Sequence, residues 1–133
     1  MFTFLLEISQ KIVKVSKSFL FGRVVELPTV IGTRPAIDEL AGALRQINMV
    51  GIRLNVNFKR AEPITVEMTD NGNAIVKVPS WGWAINILRT TTPVTGDNLR
   101  WVTHVPARTF PLSELYTMAA AITKAQNVAE EIR

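Results

Sequence analysis

The sequence predicts an α+β fold in which an antiparallel sheet carries two helices on one face. Two segments have apolar residues spaced three and four apart, which is the helical period, and between them the period changes to two. The period-two segments follow one another with short links, so we expect a meander of five strands. The predicted order is one or more N-terminal strands, a helix, the meander and a C-terminal helix, in a single domain of residues 1–133.

The N-terminal third supplies the first strands and the first helix. Residues 2–18 fit a helix or a strand, and we favour strand because Thr, Val, Ile and Phe dominate. Residues 19–27 are rich in β-forming side chains, and residues 28–33 are expected to be a connection. A helix is predicted over residues 34–48, since its apolar residues share one face.

The central part predicts five strands, each with alternating side chains and bounded by Pro, Gly or Asn. Asn71 and Gly72 favour a tight hairpin turn, because both tolerate positive φ angles. A loop is expected over residues 90–98. The five strands are predicted at residues 51–59, 64–68, 74–78, 81–88 and 99–104.

The C-terminal helix is predicted over residues 109–133, with Thr109 as its N-cap and Pro111 in its first turn. Its apolar stripe can pack on the sheet or against the same stripe of a second subunit. We name the stripe as a candidate oligomer contact, and it consists of Leu115, Met118, Ile122, Ala125, Ala129 and Ile132.

Composition excludes several kinds of chemistry. The chain has no cysteine, so disulfides, thiolate nucleophiles and thiolate metal sites are excluded. His104 is the only histidine, and no glycine spacing fits a phosphate-binding loop. We therefore expect a non-enzymatic protein with no catalytic residues, no metal site and no cofactor. No apolar run approaches a membrane span, and we expect a location in the cytoplasm or within a virus particle.

The net charge is +4, and its excess lies in residues 45–108, which hold eight basic and four acidic residues. A basic excess on the predicted sheet favours a polyanionic partner, and we predict a homo-oligomer that holds single-stranded DNA or RNA on the open sheet face. The predicted phosphate contacts are Arg53, Lys59, Arg60, Lys77, Arg89 and Arg100. The predicted contacts at shorter range are Asn55, Asn57, Trp81 and Trp83.

Alternatives remain at this stage. The polar strand face can be an ordinary solvated face, and Trp81 and Trp83, on one side of one predicted strand, can belong to the core. The alternative function is a structural self-assembling subunit, such as a viral coat or virion protein. The order of elements resembles that of Whirly-type single-stranded-DNA-binding proteins. A sheet followed by a C-terminal helix is similar to the coat proteins of single-stranded RNA phages. The resemblance is one of element order alone, and the helix at residues 34–48 departs from the coat pattern.

Overall fold

The computed structural model describes residues 4–8, 11–18, 22–69, 72–94 and 99–131. Within these ranges the chain forms nine strands and two helices, and every strand pairing is antiparallel. The predicted α+β class is confirmed. The strands form two sheets, however, where the sequence predicted one.

Sheet A contains four strands in the order β1-β2-β3-β9. The ambiguous N-terminal segment forms its first two strands, as favoured, and the fourth strand comes from far along the chain, with Val25 opposite Phe110. The strands are β1 (Phe4–Ile8), β2 (Lys11–Ser18), β3 (Gly22–Leu27) and β9 (Arg108–Pro111).

Sheet B contains five strands in the order β4-β8-β7-β6-β5. They are β4 (Val30–Gly32), β5 (Thr65–Met68), β6 (Ala74–Val78), β7 (Trp83–Val94) and β8 (Leu99–Val105). The four meander strands from β5 to β8 match the prediction, whereas β4 lies in the expected connection. The loop expected over residues 90–98 is wrong at its start, because β7 continues to Val94 and pairs there with Leu99 of β8. Gly72 has the expected positive φ, 80°, in the β5–β6 hairpin, while Asn71 falls outside the described residues.

The first helix, α1, spans Arg34–Arg53, so the predicted end at residue 48 and the predicted strand at 51–59 are wrong. The helix continues past residue 48 with the same buried face, since Gly51 lies four residues after Ile47 and both are buried. Gly51 is tolerated there because the Phe58 ring packs directly against it. No strand forms in residues 54–64.

The second helix, α2, spans Leu115–Glu131, and the predicted start at residue 109 is also wrong. Arg108–Pro111 pairs with β3 as β9, and a short 3-10 turn, Leu112–Glu114, leads into the helix. Thr109 is therefore an exposed strand residue and not a helix cap.

Both helices lie against sheet B, where α1 contacts β4 and β8, and α2 contacts β6 and β7. They cover the side on which Val76, Ile85, Ile87 and Val105 are fully buried. The opposite side, which we call the open face, is made of the residues that alternate with these. It includes Ile31, Lys77, Asn86, Leu88, Val102 and His104.

Candidate functional site

Five of the predicted nucleic-acid contacts lie together, but not on a sheet. Arg53 is the last residue of α1, and Asn55, which has a φ of 56°, belongs to the turn that follows. Asn57, Lys59 and Arg60 lie in the extended connection to β5. All five side chains are exposed. We call residues 53–60 the basic segment.

The basic segment is fixed to the two helices. The Val56 N–H donates to the Gly51 carbonyl at 2.9 Å, and the Lys59 N–H donates to the Ser113 carbonyl at 2.8 Å. The Phe58 ring stacks on Tyr116, with centroids 4.8 Å apart and planes 18° apart. The period-two alternation in this segment therefore places Val56 and Phe58 inward and the polar residues outward without any strand pairing.

The charge of this region is not neutralised locally. Residues 40–61 contain Arg45, Arg53, Lys59 and Arg60 and no acidic residue. All four cations are exposed, and no carboxylate in the described part of the chain lies within 4.0 Å of them. Cations without carboxylate partners keep their attraction for an external anion, since no internal pair competes for it.

Elsewhere on the described surface, exposed Arg34 and Lys77 are paired, whereas exposed Lys14 and Lys124 have no carboxylate within 4.0 Å among the described residues. Arg34 lies 2.7 Å from Glu130 and 3.6 Å from Asp38, and Lys77 lies 2.5 Å from Glu67. The region around the basic segment is therefore distinguished by four unpaired cations in a stretch without acidic residues, and not by the lack of partners alone.

A cleft of about 140 Å³ opens between α1 and α2, next to the basic segment. Its lining includes Arg45, Asn48, Tyr116 and Thr123 beside apolar side chains. Tyr116 connects the cleft to the segment, because the same ring stacks on Phe58. The Asn48 Oδ1 atom is buried and has no hydrogen-bond donor among the described residues. A cavity of roughly 150 Å³ is enough for one six-membered ring.

The two tryptophans form a separate cluster that sequence analysis did not foresee. Trp81 belongs to a 3-10 turn, Pro79–Trp81, and only Trp83 is in a strand, so their predicted placement on one strand is wrong. Each ring lies 5.5 Å from its neighbour in the order Trp83, Trp81, Phe110. The guanidinium carbon of Arg108 lies 5.3 Å from the Trp83 ring centroid and 5.7 Å from that of Trp81.

This cluster packs against the core, so the core alternative holds for both tryptophans. The Trp83 Nε1 and Arg108 Nε donors are buried without partners among the described residues. Because the Trp81 ring is already in contact with Trp83 and Phe110, it does not offer a free stacking platform for a base.

The open face of sheet B is not the basic surface that the sequence predicted. Of the predicted contacts whose side chains are described, Lys77 alone lies there, and it is paired with Glu67. Much of this face is apolar, since Ile31 is 59% and Leu88 42% exposed. Arg89 lies opposite Trp101 in the β7–β8 pairing and Arg100 is in β8, but their side chains are outside the described residues.

The predicted oligomer contact is also corrected. Leu115, Met118 and Ile122 are fully buried in the chain's own core, and Ala125 is 1% exposed. Ala129 packs against the same core, and Ile132 is outside the described residues. The described part of the stripe on α2 therefore packs within one chain.

Sequence reasoning missed Arg45, Asn48, Tyr116 and Thr123 as cleft residues. Arg45 carried a usable signal, because it lies in the long stretch without acidic residues. The other three could not be found, since their proximity depends on how α1 and α2 pack.

The described residues contain no cluster of side chains that could hold a metal ion. His104 is partly exposed on the open face. Neither helix, over its described length, is long and apolar enough to cross a membrane. Comparison with protein-family models, curated proteins and solved structures gives no match for this chain.

Proposed function

We propose that the protein binds single-stranded nucleic acid through the basic segment and the adjoining cleft. The observation that carries the proposal is the exposure of Arg45, Arg53, Lys59 and Arg60 without carboxylate partners, beside a cleft the size of one ring. The cations bind consecutive phosphates, and exposed Asn55 and Asn57 contact sugars or base edges. This places the ligand on the helix side of the molecule instead of the open sheet face.

The dimensions of the cleft favour a single strand. A base that enters about 140 Å³ of space between two helices must first leave a double helix, and an unpaired base is already free to do so. Tyr116 supplies an aromatic surface for that base. Asn48 lines the same cleft, and a turn of its side chain would let the buried, unpaired Oδ1 atom accept a hydrogen bond from a ring or exocyclic N–H of the base.

The test is binding of fluorescent 12-nucleotide DNA and RNA oligomers, measured by anisotropy over a salt series. Each phosphate neutralised on a single strand contributes a slope of about 0.7 in log affinity against log salt. Changing Arg53, Lys59 and Arg60 together to Gln is expected to lower the slope by about 2, since three contacts are lost. The matched control is Lys77→Gln, which removes a cation from the open face and is expected to leave the slope unchanged.

A second variant separates the cleft from the cations. Ala119→Leu adds apolar volume to the cleft lining and leaves every charge in place. We expect affinity to fall by about 5- to 150-fold, the equivalent of one lost stacked base, with the salt slope unchanged. Absence of binding by the wild-type protein at low salt would show the proposal to be wrong. The proposal would also be wrong if Lys77→Gln lowered the salt slope of binding and the combined change of Arg53, Lys59 and Arg60 to Gln did not.

A structural assembly subunit is the second candidate, favoured by the exposed apolar side chains of Ile31 and Leu88 on the open face. Apolar faces of this kind commonly make protein contacts. In that case the protein works as part of a larger assembly such as a virus particle. Light scattering at increasing concentration tests this: a large closed particle supports the assembly role, and a species no larger than a dimer removes it.

A further inference from the structure

The edge strand β5 pairs with β6 and with no other strand in the described part of the chain. All four of its residues are exposed, including Val66 at 37% and Met68 at 53%, which lie on the helix side of sheet B. The equivalent positions on β6, Ala74 and Val76, are fully buried beneath the helices. The apolar side of β5 therefore extends past the helices without a cover.

The other edge of sheet B is protected. β4 has only three residues and contacts α1, and the approach is so close that a side chain on Gly32 would meet Ala36. Short edges covered by a helix resist pairing with another chain. β5 has no proline, and its single charge, Glu67, is already paired with Lys77 on the open face.

We propose that two copies of this chain pair through β5, antiparallel and around a two-fold axis, to form a continuous ten-stranded sheet. An axis perpendicular to the sheet keeps the helix side of one copy beside the helix side of the other. Residues directly opposite each other on the two antiparallel strands must point to the same side of the sheet. The two-fold axis therefore lies between one residue of β5 and the same residue of the second copy.

Charge excludes one register, and apolar pairing favours another. With the axis at Glu67, two carboxylates would lie directly opposite each other, which is destabilising. With the axis at Val66, the two Val66 side chains face each other, and Ile64 lies opposite the partner subunit's Met68. On the open face the same register aligns Lys77, Thr65 and the partner subunit's Glu67 in one row, since Thr65 is opposite Lys77 within the chain. Apolar groups thus meet on one side, and on the other side no like charges lie directly opposite each other.

The interface is small. Pairing of residues 64–68 with the same residues of a second copy buries less than the roughly 1,200–2,000 Å² of a standard stable interface. We therefore expect a weak dimer whose population depends on protein concentration. Sedimentation must be measured at protein concentrations up to several hundred micromolar, on the order of the dissociation constants of weak transient complexes.

The absence of cysteine from the chain allows a direct test. Cβ atoms of residues directly opposite each other on antiparallel strands are close enough for a disulfide after small adjustments. Under mild oxidation Val66→Cys is expected to give a covalent dimer, whereas Thr65→Cys and Glu67→Cys stay monomeric on non-reducing gels. The proposal is overturned if Val66→Cys remains monomeric, or if Glu67→Cys crosslinks equally well.

Sedimentation of a charged variant gives an independent measurement that needs no crosslink. Met68→Lys places two cations in the apolar side of the interface, so we expect the dimer to be lost while circular dichroism shows the monomer folded. Ile52→Lys, at an equally exposed position of α1, is the control and is expected to dimerise normally. A monomer at all concentrations in the wild-type protein would overturn the proposal. The variant in which Arg53, Lys59 and Arg60 are changed to Gln is expected to dimerise like the wild-type protein. Loss of nucleic-acid binding and loss of dimer formation can therefore be observed separately.

Discussion

Two glycines of α1 offer a matched test of how the basic segment is anchored. A Cβ on Gly42 would lie 3.6 Å from an Arg45 side-chain nitrogen, an ordinary contact. A Cβ on Gly51 would fall on the Phe58 ring, with the second and third nearest ring carbons at 3.2 and 3.3 Å. The same substitution, Gly→Ala, therefore makes an ordinary contact at one site and meets a packed ring at the other.

The expected free energies follow from two opposing effects. Replacing an interior helical Gly with Ala stabilises a helix by roughly 0.5–1 kcal/mol, and this gain is common to both sites. Overpacking costs about 1–3 kcal/mol and applies only at Gly51. Gly42→Ala is therefore expected to raise the free energy of unfolding. The free energy of unfolding of the Gly51→Ala variant is expected to be lower than that of the Gly42→Ala variant by the overpacking cost, about 1–3 kcal/mol.

Urea unfolding followed by circular dichroism measures both variants, with equal m-values as the check that the transitions are comparable. A Phe58→Ala background supplies the control, because without the ring Gly51→Ala should become as favourable as Gly42→Ala. If Gly51→Ala were as stabilising as Gly42→Ala in the wild-type background, Phe58 would not be packed on α1. The position assigned to the basic segment would then be wrong.

Further predictions concern the core, a turn and an ion pair. Ile122→Ala is expected to lower the free energy of unfolding by about 2–5 kcal/mol because the side chain is fully buried, whereas Ile52→Ala, at a 54% exposed position, should change it by no more than about 0.5 kcal/mol. Gly82→Ala should cost about 1–2 kcal/mol, since Gly82 has a φ of 67° and a Cβ there meets no neighbour that could offset the strain. Lys77→Gln should cost at most about 1 kcal/mol and lose its effect in high salt, because its pair with Glu67 is solvent-exposed. Equal losses for the two isoleucine variants, or a neutral Gly82→Ala, would contradict these packing and backbone arguments.

Local patterns were sufficient for the class of the fold and for most of its elements. The meander strands β6 to β8 alternate clearly because one side faces the helices and the other faces solvent. Separation into two sheets could not be predicted, since it depends on pairing β3 with β9, and no local pattern shows that Val25 meets Phe110.

The errors at residues 51–59 and at Trp81 have specific causes. Between Gly51 and Lys59 the side chains do alternate inward and outward, but Phe58 finds its partners on the two helices, so alternation occurs without a ladder. Trp81 was assigned to a strand because it lies two residues before Trp83. Pro79 and Gly82 instead favour the tight turn that separates them.

The sequence analysis named five residues of the candidate site, but it placed them on a sheet and not beside the cleft. Arg53, Asn55, Asn57, Lys59 and Arg60 lie together as expected from their neighbouring places in the chain. Their location beside the cleft between α1 and α2 depends on tertiary packing, which also supplies Tyr116 from the far end of the sequence.

Photocrosslinking tests the proposed binding site most directly. A single-stranded oligonucleotide that carries 5-bromouracil is irradiated with the protein, and the attached peptides are identified by mass spectrometry. Binding at the cleft and the basic segment predicts attachment at Tyr116 and within residues 45–60. Attachment to the open face, at residues 84–88 or 102–104, would contradict this account.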